Sequence, residues 1–439
     1  MPTEQKSFPV RCTLNRITSS TERLTKNQIR GFWAAWAGWT LDGMDAFIYA
    51  LVMIPALKDL LPASGIPATA QNTGFYGGLL FAIFLVGWGF AFLWGPLADK
   101  FGRVKTLMFT ILCYSLFTFL GCIAHTVWQL AAFRFFAGAG IGGEWTLGGI
   151  LVAEEWPESR RLKGGAYMHT GYYFGTFLAA ALNYWVGAHY GWRAMFAVGG
   201  TPALLVAFIR MGIHEPEKWQ NRRVSKARTA FFKLFSPVYR KRTLLNSAYL
   251  LTSMIGLWAS SVYVPASVTQ IALREGHSAV DATRYASWAT MLMAVGTVLG
   301  CLITPYLATT LGRRGALAAF FVLMATAIAI AFGWAFYLPH GALVTFVLCL
   351  FFLGLGGGSF CVYTLWLPEQ YSTECRASAF AFATSSGRFL AAGATFLVGA
   401  GVSHYGSIGT PVAFTSLAFV LGLLLIPFGT ETKGQALPE

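Results

Sequence analysis

Charge is what this sequence has least of. Asp, Glu, Lys and Arg make up 11% of its 439 residues, against 56% apolar and 16% aromatic. That balance excludes a disordered chain and an ordinary soluble enzyme, and leaves a membrane protein. Cysteine is scarce as well. The seven, Cys12, Cys113, Cys122, Cys301, Cys349, Cys361 and Cys375, stand in no metal-ligand or paired-disulfide spacing, so neither a metal centre nor a disulfide scaffold is expected. The first 30 residues hold no apolar core followed by a small-residue cleavage site, which argues against a cleavable signal peptide and leaves the first span to start insertion. No nucleophile-base constellation is present, so neither a cofactor nor enzymatic chemistry is expected.

Apolar runs are what fills the chain. A bilayer span takes about 20 apolar residues, and such runs lie at 32–57, 73–96, 105–124, 127–153, 164–188 and 193–212, then at 243–268, 285–308, 314–337, 341–367, 376–402 and 409–428. The expected fold is an all-α membrane protein of twelve transmembrane helices in two six-helix bundles. Its expected parts are an N-terminal tail (1–31), a first bundle (32–212), a linker (213–242), a second bundle (243–428) and a C-terminal tail (429–439).

An even number of spans puts both termini on one side. Assigning the tails, the linker and the other even-numbered loops to that side collects 26 of the 32 Lys and Arg, with four on the opposite side and Arg134 and Arg388 inside spans. Both termini are therefore expected in the cytoplasm, in a cell inner membrane. The net charge of +14 is then topological. Its densest stretch, Arg222 to Arg228, has no aromatic on which bases could stack, so membrane lipid is the expected partner and nucleic acid is not.

The two halves repeat the same punctuation. Gly95-Pro96-Leu97-Ala98-Asp99-Lys100-Phe101-Gly102-Arg103 follows the second span, and Pro305-Tyr306-Leu307 through Leu311-Gly312-Arg313-Arg314 follows the eighth, with Thr309 in the place of Asp99. Glu154, Pro157 and Arg161 follow the fourth span; Glu369, Ser372 and Arg376 follow the tenth at the same relative spacing. Paired signals in one order mark a duplicated transporter bundle. The loop from Gly95 to Lys105 resembles the signature cytoplasmic loop of the major facilitator superfamily, and the resemblance covers nearly the whole chain. It implies that Asp99, Arg103, Glu154, Arg161, Glu369 and Arg376 form a breakable charge network that latches one conformation, weaker in the second half, where Thr309 replaces the acid. Arg134, about two turns from the start of its span, is expected as an inner-end anchor grouped with that latch.

The charges inside spans point to function. Asp42 and Asp45, at i and i+3, share a helix face that Trp39 and Tyr49 extend. A mid-span acid costs about 2.5 to 3.5 kcal/mol on insertion scales, so such groups face a cavity, pair with a cation or carry protons. The Asp-Gly-x-Asp element resembles the aromatic-acid:proton symporters and the related sialate and lactate:proton symporters. Glu144, in a Gly-Gly-Glu-Trp segment ten residues beyond Arg134 and so about 15 Å along the axis, is similar to metabolite:proton symporters and is the third proton-site candidate. In the fifth span His169, Tyr172, Tyr173 and Thr176 fall on one face, a suitable pocket wall for a polar organic molecule. In the eleventh, Ser385-Ser386-Gly387-Arg388 carries the one charge well inside a C-terminal span. Its planar fork suits a carboxylate, and the Gly-Arg pair resembles the position where aromatic-acid symporters hold the substrate carboxylate. Ser253, Trp258, Ser260, Ser261, Tyr263, Tyr363 and Trp366 are candidates to complete the pocket.

Proton-coupled uptake of a small organic anion by alternating access is therefore expected, with acids in one bundle and a fixed cation in the other. Substrate candidates are Tyr49, His169, Tyr172, Tyr173, Tyr363, Ser385 and Arg388. Two alternatives stay open. A sugar or polyol carrier is suggested by Glu431-Thr432-Lys433-Gly434, which also resembles sugar porters, although Leu251 to Tyr263 has no Gln or Asn. A sensor of transporter fold would bind ligand without moving it.

Overall fold

The computed structural model describes residues 24–94, 97, 103–141, 156–210, 231–435 and 438. The first half holds α1 (Lys26–Ala63), α2 (Ala70–Gly89), α3 (Arg103–Leu120), α4 (Val127–Gly140), α5 (Glu158–Leu182) and α6 (Ala188–Arg210). The second holds α7 (Arg240–Ser261) with α8 (Val264–Arg274), then α9 (Ala279–Thr310), α10 (Gly312–Gly333), α11 (Ala342–Gly356) with α12 (Ser359–Trp366), α13 (Thr373–Tyr405), and α14 (Gly409–Phe414) with α15 (Ser416–Leu425). Three spans of the second half are thus broken helices. Seven helical stretches among the described residues are by themselves long and apolar enough to cross a membrane.

The helix starts are set by short side chains that accept backbone N–H groups left free by the first turn. Thr69 accepts from Asn72, Thr126 from Gln129 and Ser278 from Asp281, while Thr25 and Gln28 satisfy each other in a capping box. Gly406, at φ 64°, ends α13 in the left-handed conformation that costs glycine least.

Within the first half α1 packs on α5, α2 on α4, and α3 on α4 and α6; within the second, α9 packs on α11, α7 on α13 and α10 on α15. The two bundles meet where α2 lies against α13 and α5 against α9. The α1–α5 contact is close enough to need glycine. A Cβ on Gly43 would stand 2.0 Å from the Tyr172 carbonyl oxygen, and one on Gly175 would stand 1.8 Å from that of Thr40. This draws the acidic turn of α1 against the aromatic face of α5.

The segment after α15 meets the α9–α10 and α12–α13 connections on one face of the pair of bundles, here the terminal face, through the contacts of Glu431 and Glu369 with Arg313. On the other, distal face, hydrogen bonds join the bundles: Asn183 Nδ2 donates to Ser287 Oγ at 3.0 Å and the Tyr263 hydroxyl to the Gly74 carbonyl at 3.3 Å. Asn183 opens a π-helical turn (Asn183–Gly187), a local widening that turns its amide across the interface.

Candidate functional site

Asp42 and Asp45 are 0% and 1% exposed on α1. Asp45 lies within electrostatic reach of Arg134 and beside Thr118, and Arg134 Nη2 donates to Thr118 Oγ1 at 2.9 Å. The guanidinium rests over the rings of Phe196 and Phe84, 5.0 and 5.9 Å from their centres. Apolar walls thus enclose an acid, a hydroxyl and a fixed cation, all within the first bundle. This overturns the expectation of Arg134 as an inner-end anchor. Its helix begins on the distal face, where Val127 N donates to Ser64 Oγ beyond the end of α1 at 2.9 Å. Two turns from that start lies deep packing, away from the terminal face, and Arg134 is 1% exposed.

A second site lies between the bundles. The first bundle contributes Trp39, Trp88, His169, Tyr172 and Tyr173 to its walls; the second contributes Met254, Leu257, Trp258, Phe360 and Arg388. The cavity measures ≈ 20 Å³, room for about one water molecule. Arg388 is buried, with its guanidinium carbon 4.3 Å from the centre of the Trp88 ring, a cation–π contact that links α13 to α2. Tyr172 stands between the two sites. Its ring packs on Trp39 at 4.8 Å, and its hydroxyl is within electrostatic reach of Arg388 as well as of Asp42 and Asp45.

Three of the expected substrate residues, Tyr49, Tyr363 and Ser385, are not among those lining the cavity. Tyr49 donates to the Gly77 carbonyl at 3.1 Å, tying α1 to α2. Tyr363 donates to the Tyr249 carbonyl at 2.8 Å, so its single hydroxyl proton is used and the 2.8 Å contact with Ser253 is one it accepts. Ser385 is buried one turn from Arg388 and is not among the lining residues. Trp366 donates to the Thr430 carbonyl at 3.0 Å on the terminal face, and Tyr263 belongs to the distal seal. Met254 and Leu257 make the α7 wall apolar, while the one amide of α7, Asn246, is bonded to Gln370 and Tyr371.

On the terminal face, Glu369 binds Arg313 in a fork, with Nη2–Oε1 at 2.7 Å and Nε–Oε2 at 2.9 Å, and accepts from Thr432 Oγ1 at 2.6 Å. The two charged side chains are 1% and 6% exposed. Both residues belong to the second bundle, so this pair joins parts of one bundle. Arg313 takes its partner from just beyond the end of α12, and the Thr309 hydroxyl donates to the Tyr306 carbonyl at 2.9 Å. Arg376 holds the carbonyls of Pro368 and Pro438 at 3.1 and 2.9 Å. Glu431 accepts from the backbone N–H groups of Arg313, Arg314, Thr432 and Lys433 at 3.0 to 3.1 Å. Partial burial pushes its carboxyl pKa up, and those four donors together bring it below the usual value.

Glu144, Glu154 and Asp99 lie outside the described residues, as do the side chains of Arg103 and Arg161. Sequence reasoning passed over Trp88, Phe360 and the apolar α7 wall. Trp88 carried one signal: it stands between Gly87 and Gly89 in mid-span, where flanking glycines let a large ring enter a helix interface. Phe360 carried none. Among the described residues no three His, Cys, Asp or Glu come together as a metal set.

The model of the Major Facilitator Superfamily matches residues 35–395. The "Probable 4-methylmuconolactone transporter" of Cupriavidus pinatubonensis is 28% identical over 422 residues, covering 93% of this chain and 92% of its own. The "Niacin transporter NiaP" of Acinetobacter baylyi is 27% identical over 438 residues, covering 92% and 94%. Among solved structures, a D-xylose-proton symporter superposes with a TM-score of 0.74 at 18% identity, over 93% of this chain and 100% of its own. At that identity the likeness is one of fold.

Proposed function

The chain belongs to the Major Facilitator Superfamily and is a membrane transporter, not an enzyme; on that footing we propose that it carries a small organic monocarboxylate inward together with protons. One observation carries the proposal: a guanidinium, Arg388, buried in the wall of a cavity shared by both bundles. A fixed cation at that depth suits an anion, and its two parallel N–H pairs suit a carboxylate. The names of the relatives, a 4-methylmuconolactone and a niacin transporter, agree with a small organic acid. The apolar α7 wall disfavours a sugar, which needs paired donors and acceptors for its hydroxyls.

Proton coupling is assigned to Asp45 with Arg134 and to Asp42, with Glu144 as the further candidate. When Asp45 takes a proton it loses its attraction for Arg134, and the change reaches the cavity through Tyr172, which senses the α1 acids and Arg388 together. A carboxylate then settles on Arg388, the bundles rock about it, and deprotonation on the other side completes the cycle. In this scheme both termini and the basic loops face the cytoplasm across a cell inner membrane, and Asp99, Arg103, Glu154 and Arg161 serve as the latch in the first half.

The test is purified protein in liposomes with labelled monocarboxylates and an imposed inward proton gradient. Accumulation stimulated by external acid is expected. Equal flux without a gradient would indicate a facilitator, and binding without flux would indicate a receptor; either result overturns the symport proposal.

A further inference from the structure

We infer that His189 and Arg284 form a proton-sensitive latch between the two bundles on the distal face, closed while His189 is neutral and released when it is protonated. Its consequence for uptake rests on the proposal above, in which the distal face lies outside the cell; the latch itself does not.

The latch is built on the π-helical turn. Asn183–Gly187 interrupts the run from α5 to α6, and this widened turn presents residues of the first bundle to one stretch of α9 in the second. Asn183 and Ser287, joined by their hydrogen bond, are both buried. Gly187 leaves room for that amide, because a Cβ there would strike Asn183 Oδ1. Tyr184 meets Trp288 edge-on with ring centres 6.0 Å apart, and the guanidinium carbon of Arg284 lies 5.5 Å from the Tyr184 ring centre. His189, near the start of α6, reaches the same arginine, with Arg284 Nη2 and His189 Nε2 3.4 Å apart. Arg284, Ser287 and Trp288 stand at i, i+3 and i+4, so one face of α9 holds the whole contact.

The partners of the imidazole fix its proton state. His189 Nδ1 is 2.8 Å from the Trp185 carbonyl, which can only accept, so Nδ1 carries the proton of the neutral ring. Nε2 then offers a lone pair to a guanidinium that can only donate. A second proton occupies that lone pair and sets two cations against each other. The charged groups on the surrounding elements do not cancel this change. Asp281 of α9 is 3.9 Å from Arg284, and its other oxygen accepts from Ser278 at 2.7 Å. Asp59, near the end of α1, accepts from Trp192 and Arg193 at 2.8 and 3.2 Å. Lys58 and Arg193 add positive charge, and His277, against the Tyr285 ring at 5.0 Å, adds more when protonated.

Histidines collect on this face. The α9–α10 and α12–α13 connections are on the terminal face, so the connections alternating with them are distal, and these carry His125, His189, His277, His340 and His404, five of the chain's seven. Histidine changes charge between about pH 5 and 8, so acid on the distal side charges both bundles at once and favours their separation there. In the uptake scheme protons and substrate arrive from that side, and acid opens the cavity toward both.

The experiment measures spin-label distances between Ala63 and Ala279, exposed positions in opposite bundles outside the latch, with labels carried on a ketone-bearing unnatural amino acid so that the native cysteines stay. Nanodisc samples without substrate are compared at about pH 8 and about pH 5. Losing one hydrogen bond and gaining a like-charge contact at a solvated surface should raise the ratio of open to closed distances about tenfold in the wild type. His189→Gln keeps an acceptor for Arg284 and cannot titrate, so its ratio should stay low at both pH values. Arg284→Gln removes the cation and should flatten the response as well. Most of the rise retained in His189→Gln overturns the inference; so does a wild-type ratio that does not change with pH, a readout that stands even where a variant misfolds. Because no substrate or gradient is present, failure of symport leaves the latch standing, and a missing pH response leaves the symport proposal standing.

Discussion

Replacing Arg388 by lysine keeps a positive charge in the cavity wall and removes the planar fork. A carboxylate held by two charge-assisted hydrogen bonds, at about 1.5 to 3 kcal/mol each, would keep one of them. Part of the stacking over Trp88, at 4.3 Å in the wild type, would go as well. The expected loss of about 2 to 3 kcal/mol corresponds to a rise in KM of about 30- to 150-fold, at tenfold per 1.4 kcal/mol. Arg388→Ala leaves the substrate carboxylate buried without a cation, a truncation that costs about 2 to 5 kcal/mol or more, and uptake should fall below detection. Folding should not suffer in parallel. Removing the guanidinium relieves the cost of burying it and also removes its contact with Trp88, so the thermal midpoint in detergent should change little while the stabilisation produced by added substrate vanishes. That opposition separates a binding role from a structural one. Wild-type KM in the alanine variant, or an undiminished substrate-induced shift in midpoint, would refute the assignment of Arg388 to the substrate.

Asp45→Asn fixes the acid beside Arg134 in a neutral form; gradient-driven accumulation should disappear while exchange of labelled for unlabelled substrate continues, and retained accumulation would move the coupling role away from Asp45. Glu369→Gln breaks a buried fork and strands Arg313, so the unfolding midpoint should drop by the equivalent of about 3 to 5 kcal/mol; an unchanged midpoint in a denaturant titration would show that the pair contributes nothing. Glu431 has its carboxyl held below the usual 4.5 by four backbone donors that outweigh its partial burial. Its contribution is therefore present above that value and lost as pH falls through the lower folded one. The wild-type melting temperature in detergent should decline below about pH 4.5 more steeply than that of Glu431→Gln, and parallel curves would remove Glu431 as a cause.

Much of the arrangement was legible because hydrophobic burial in lipid leaves little choice. The helical spans, the duplication and the chemical singularity of Asp42, Asp45, Arg134 and Arg388 follow from where charge is absent and where it intrudes. Partnership was not legible. Arg134 looked like an anchor because distance from the start of a span says nothing about the depth of neighbouring helices; packing placed it in a hydrogen bond to Thr118 and within electrostatic reach of Asp45. Tyr49 and Tyr363 had the right chemistry and the right depth for a pocket, but each found a backbone carbonyl at 3.1 and 2.8 Å, and a buried hydroxyl takes the nearest acceptor.

The sequence alone determined a membrane-embedded α-helical chain with two equivalent halves and a few charges too costly to be accidental, because transfer free energies act residue by residue. Only the tertiary structure decided which charges meet, that the Glu369–Arg313 pair lies within one bundle, and that aromatic rings from opposite bundles close on Arg388. Those outcomes depend on helix contacts between residues far apart in the chain, set by close approaches such as Gly43 on α5. No local periodicity encodes them.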